Sequence, residues 1–235
     1  MFGGCRSKVA LTKRVKTPEG GDLAEAAVSI DVAEEDALRA DLYDFLGAML
    51  AAPPNADLLK NAKGLTGDDT PIGRAVSALS TISGAFAPGA AREEFEALFI
   101  GLGRGELMPY ASYYMTGFLN EKPLAVLRND MDALGIERSP NVYEPEDNIA
   151  SLCEMMAGLI RGRFFATADL AQQKKFFNTH IGPWAGHFFK DLEGAKNSVL
   201  YAPIGAIGGA FIEVEREAFR MAGAELTETG TSDTP

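Results

Sequence analysis

The sequence predicts an all-α protein, a helical bundle, and three observations carry that reading. Apolar residues recur at three- and four-residue spacing in successive runs, proline and glycine punctuate those runs, and no run alternates with period two. The first run starts at Asp36 and sets Leu38, Leu42, Phe45, Leu46, Met49 and Leu50 on one face, until Pro53-Pro54 stops it. Thr70-Pro71 reads as an N-cap followed by proline at the first helical position, opening a helix through Val76 and Leu79. After Pro88-Gly89 a helix carries Phe95, Leu98 and Phe99 and ends at the glycine-punctuated "GLGRGELMP". Another begins near Pro123, shows Val126, Leu127, Met131 and Leu134, and closes at Gly135 as a C′ glycine.

The next helix follows "NVYEPEDN" and places Ile149, Leu152, Cys153, Met156 and Ile160 on one face. Further runs contain Leu170 with Phe176 and Phe177, then Trp184 with Phe188, Phe189 and Leu192. The last spans roughly Val199 to Ala222, and its glycines Gly205, Gly208 and Gly209 suit a close approach of another backbone. Residues 1–33 show no sustained period and read as a disordered basic tail, with Arg6, Lys8, Lys13, Arg14 and Lys16 and no acidic residue up to Lys16. The helical domain is expected over 34–225, with a candidate hinge at 139–145, and a disordered C-terminal tail over 226–235.

With 46% hydrophobic and 23% charged residues, the chain has enough apolar material for a sizeable core. A formal net charge of −11 repels phosphate backbones, which argues against nucleic acid and favours a cationic partner. No apolar run approaches the ~18 residues that a bilayer span needs. The basic start lacks the apolar core of a secretory signal. The two cysteines, Cys5 and Cys153, have no metal-ligand spacing and fit a reducing compartment.

Two segments stand out. In "YEPEDN", Pro145 suits a first helical turn, and Glu146 and Asp147 suit the positive end of the helix dipole, the reading that periodicity alone favours; a binding surface is the other reading of the same acidic residues. In "MPYASYYMTGFL", Tyr110, Tyr113 and Tyr114 cluster with Met108, Met115 and Phe118, either as core aromatics or as the wall of an apolar groove with a polar rim. A di-iron site needs Glu-x-x-His pairs, and neither His180 nor His187 stands in that spacing, so no metal ligand is assigned. No G-x-S-x-G elbow and no P-loop lysine occur, so no catalytic residue is assigned either.

Taken together, "PYASYY" and the later "LRNDMDALGIERSPNVYEPEDNIASLCEMMAGL" resemble the TorD/DmsD redox-enzyme maturation chaperones and, more distantly, NarJ. Pro109, Tyr110, Ser112 and Tyr114 match the first motif of that family; Gly135, Ile136, Glu144, Pro145 and Asp147 match the second. Asn148 stands where the family usually has histidine, which removes a titratable group from that position. The resemblance covers roughly residues 35–220 and implies a TorD-like helical fold. It further implies a cytoplasmic, non-enzymatic chaperone without a cofactor of its own, monomeric or a domain-swapped dimer. Its partners would be the twin-arginine leader and the apoprotein of a molybdopterin enzyme, held until cofactor insertion; some members bind guanine nucleotide weakly. On that reading Tyr110, Ser112, Tyr114, Glu144, Pro145, Glu146, Asp147, Asn148 and Leu152 form the client site, with Glu144, Glu146 and Asp147 supplying charge. A NarJ-like assembly chaperone for nitrate reductase and, from another class, a helical carboxylate metalloenzyme are the alternatives.

Overall fold

The computed structural model describes residues 11–13, 34–140, 142–164 and 166–228, with side chains placed over 34–140, 142–164 and 166–222. Ten α-helices dominate these residues, as the periodicity predicts. The exceptions are a π-helical segment, Phe177–Ile181, and two strands, β1 (Leu11–Lys13) and β2 (Ile136–Arg138), paired antiparallel. Three residues are too few to show an alternation, so neither strand has a signature in the sequence. β1 falls inside the stretch expected to be a disordered tail; the rest of that stretch, and most of the expected tail over 226–235, lie outside the described residues.

The chain forms two compact units. One combines the described residues up to Ala52 with Tyr110–His180, the other Pro53–Pro109 with the described residues from Ile181 onward. The segment 139–145, expected as a hinge, therefore lies inside the first unit.

The first unit contains α1 (Glu34–Ala51), α5 (Ala111–Thr116), α6 (Lys122–Ala133), α7 (Ile149–Arg161) and α8 (Leu170–Phe176). α7 is its axis: every residue is buried except Glu154 and Arg161, so the helix is enclosed on all sides rather than along one stripe. α1 packs against it, and Gly47 makes the approach close, because a Cβ there would stand 3.3 Å from the Ala150 carbonyl oxygen. Leu38, expected on the core face of α1, is instead 64% exposed, and Ala40, Tyr43, Leu46 and Met49 make the contact face. Ion pairs fasten the far end of the seam: Arg161 Nη2 lies 2.6 Å from Asp41 Oδ1, and Arg163 meets Asp44 in a two-pronged pair. α7 ends at Gly162, whose φ of 67° suits glycine. On α6, Asp130 Oδ2 lies 2.8 Å from Nε2 of the buried His180, whose pKa burial lowers despite that carboxylate.

The second unit contains α2 (Ala56–Lys63), α3 (Pro71–Ala85), α4 (Pro88–Phe99), α9 (Ala185–Gly194) and α10 (Ala202–Glu228). Thr70 caps α3 by accepting from Gly73 N at 3.0 Å, as expected. α2 has no counterpart in the sequence reading; Asn55 caps it by accepting from Leu58 N at 2.8 Å and buries Leu58, Leu59 and Ala62. α9 and α10 pack where Gly205 lies, since a Cβ there would reach within 2.7 Å of the Phe189 carbonyl oxygen. The segment entering α10 is tied down by Glu94 of α4. Its Oε1 accepts from Val199 N and Tyr201 N at 2.8 and 2.9 Å, and its Oε2 from Leu200 N at 3.1 Å. Three successive amides thus form a concave nest around one buried carboxylate.

Candidate functional site

The two motifs singled out in the sequence meet in the first unit. Tyr110 is extended (φ −126°, ψ 135°) and stands as the N-cap of α5, but its side chain makes no capping bond. The cap comes from the other motif. Asp147 Oδ2 accepts from Ser112 N at 2.7 Å, and the Asp147 carbonyl accepts from Ala111 N at 3.0 Å. One residue therefore satisfies the first two amides of a helix some 35 positions earlier in the chain. A backbone bridge between Tyr110 and Asn148 completes the join.

The "EPEDN" segment is not the first turn of α7. Asn148 N donates to the Pro145 carbonyl at 3.2 Å, closing a turn, and the helix begins only at Ile149. Asn148 is its N-cap, with Oδ1 accepting from Ala150 N at 2.9 Å. Pro145 thus sits in the turn rather than at the first helical position. Glu146 and Asp147 are likewise placed by side-chain bonds rather than by the dipole of α7. Capping needs an acceptor oxygen and no charge, so asparagine suffices where the family usually has histidine.

Each acidic residue has a distinct setting. Glu146 is buried and its charge is engaged: Arg128 Nε and Nη2 reach its Oε2 at 3.0 and 2.8 Å, and Arg138 Nε lies 3.6 Å from its Oε1. Asp147 is fully enclosed. Glu144 alone is exposed, and it accepts a hydrogen bond from the Tyr110 hydroxyl. Burial, and then the Glu144 carboxylate, push that hydroxyl well above the ordinary phenol range, so Tyr110 remains a donor at any physiological pH. Asp147 Oδ1 and Ser112 Oγ are buried polar atoms with no hydrogen-bond partner.

Of the expected apolar wall, Tyr110 and Tyr114 are half-buried, and the Tyr114 ring stands edge-on to Tyr113 with centroids 6.1 Å apart. Leu152 is enclosed in the core and lines no surface. The exposed apolar residues are others. Met115 lies in the last turn of α5, and Phe118 and Leu119 follow it in a turn where Gly117 has φ 85° and Asn120 φ 60°; Phe118 is 70% exposed. Tyr143 is exposed beside Glu144. Arg128, Arg138, Leu119 and Tyr143 escaped the sequence reading; only the arginines had a signal, as cations flanking an acidic motif.

Among the described residues no group of three His, Cys, Asp or Glu side chains is placed to hold a metal ion, and no helix is long and apolar enough to cross a membrane. The arrangement offers binding chemistry: an exposed carboxylate bonded to a phenol, on a segment that Asp147 ties to the start of α5, with exposed apolar side chains following in the chain.

Comparison with known proteins bears on the same region. Residues 66–190 match the sequence model of the nitrate reductase delta subunit family. Chaperone protein TorD of Vibrio cholerae serotype O1, in El Tor Inaba and Classical Ogawa strains, is 28% identical over 130 residues. That alignment covers 52% of this chain and 59% of the length of TorD. A crystal structure from Archaeoglobus fulgidus, of a protein assigned to redox enzyme maturation, matches with a TM-score of 0.51 and 20% identity. It covers 75% of this chain and 94% of that one, and it shows a shared fold. More than half of this sequence lies within the family match, both motifs included: the chain belongs to the nitrate reductase delta subunit family, the TorD/NarJ family of redox-enzyme maturation proteins.

Proposed function

We propose that this chain is a cytoplasmic chaperone. It binds the twin-arginine leader and apoprotein of a molybdopterin oxidoreductase and assists cofactor insertion before export. The supporting observation is the join made by Asp147, which leaves Glu144 exposed with Tyr110 bonded to it and exposed apolar residues following in the chain. A leader combines a basic pair with an apolar stretch, and this surface supplies a complementary charge and apolar contacts. The net charge of −11 favours encounter with such a cation at a distance. A NarJ-like role in nitrate reductase assembly is the second reading, favoured by the description of the matching family.

The test is calorimetric titration of the full chain with a twin-arginine leader peptide and with a control in which both arginines are glutamine. The leader should bind, more weakly as salt rises, and the control should bind at least about tenfold more weakly. Equal binding of the two peptides would reject the site, and absence of binding would reject the function. Leaders from nitrate reductase and from other molybdoenzymes then separate the two readings.

A further inference from the structure

β2 lies just ahead of the acidic motif and is coupled to it, since Arg138 at its end approaches Glu146. Its partner strand comes from the most basic part of the chain. β1 sets Leu11 against Arg138, Thr12 against Glu137 and Lys13 against Ile136 in antiparallel register. The sequence around β1, "KVALTKRVK", joins an apolar run, Val9-Ala10-Leu11, to a basic pair, Lys13-Arg14. Those are the two ingredients of the proposed client leader, in the opposite order. Resting on the leader-binding reading above, we propose that the backbone edge of β2 is a docking edge for an extended cationic segment. Leu11–Lys13 is its resident occupant, which a client leader displaces.

The physics of strand addition supports an exchangeable occupant. Backbone hydrogen bonds along an edge accept almost any extended chain, and nearby side chains select its charge. A two-stranded ladder of three residues lies at the lower limit of stability, so β1 is held weakly. Being part of the same chain, it nevertheless competes at a fixed effective concentration, which sets a threshold for clients. A longer extended peptide that also reaches Glu144 has more contacts with which to win.

The test uses the full chain and two variants. Thr12→Pro removes an amide and disfavours pairing, whereas Lys13→Glu with Arg14→Glu keeps the backbone and reverses the charge. In Thr12→Pro, the amides of Ile136–Arg138 should exchange about tenfold faster or more, and a peptide of residues 6–16 added in trans should restore their protection. Both variants should bind the twin-arginine leader at least about threefold more tightly than the unsubstituted chain. Unchanged exchange, or no protection by the added peptide, would overturn the docking edge. Equal or weaker leader binding by both variants would overturn the competition. If the leader binds no form of the chain, the proposed function falls, while exchange with the 6–16 peptide still decides whether β2 docks basic segments.

Discussion

Asp147 and Glu94 are buried carboxylates that solve one problem in the two units, that of backbone amides left without partners where a helix begins. Glu94 solves it completely, since its two oxygens take three successive amides ahead of α10. Asp147 solves it halfway. One oxygen takes Ser112 N, while the other is buried without a partner, and the next acidic residues back along the chain are the engaged Glu146 and the exposed Glu144. The lesson is that the same device serves as a closed structural tie in one place and as the support of an open surface in the other.

The largest expected effect breaks the closed tie. Glu94→Ala strands three amides, and unfolding in urea should show a loss on the order of 3–5 kcal/mol, with Glu94→Gln recovering part of it. Asp147→Ala should cost about 1–3 kcal/mol by the same measurement, since one side-chain bond is lost and the carbonyl bond to Ala111 survives. Asp147→Asn retains an acceptor and should recover most of that loss. If Asp147→Ala leaves stability unchanged while abolishing leader binding, Asp147 touches the client and is no tie.

A third carboxylate sharpens the contrast because it has no amide to hold. Glu154 on α7 has a buried Oε2 without a partner, and burial, then the nearby Asp44, push its pKa from 4.5 up to about 7. The folded form therefore holds its proton more tightly than the unfolded chain. This stabilisation is complete below pH 4.5 and is lost as pH rises through about 7. Glu154→Gln should accordingly stabilise the protein at pH 8 by on the order of 1–2 kcal/mol, allowing for solvent screening, and change little at pH 4. Urea titrations at the two pH values check the sign.

The smallest effect belongs to the open surface. Glu144→Gln should leave stability unchanged and weaken leader affinity about fivefold at low salt. That affinity should otherwise be nearly flat from about pH 6 to 8, because Asn148, at the motif itself, does not titrate. An inflection near pH 7 that disappears in Glu154→Gln would show that the α1–α7 seam is coupled to the site.

Much of this was legible in the sequence, and the rest was not for identifiable reasons. Helix boundaries with local chemistry were readable: Thr70 caps α3, Pro88 opens α4, and Gly135 takes φ 68° after α6. Both motifs were found as well. Their division of labour was not, because a cap supplied across some 35 residues has no spacing rule, and Pro145 mimics a first-turn proline while sitting in a turn. The arginine partners of Glu146 lie on α6 and β2, and only folding brings them there. Leu38 and Leu152 illustrate the limit of periodicity, which marks a face as apolar without saying what covers it.

The enclosure of α7 also supplies a chemical clock. Cys153 is wholly buried, and burial, then the nearby Asp44, raise its thiol far above the ordinary range, so the native protein withholds it from thiol-reactive dyes. The sequence has one other cysteine, Cys5, just ahead of β1. Any dye that the native protein takes up therefore marks residue 5, while a second, slower uptake at Cys153 times the opening of the core.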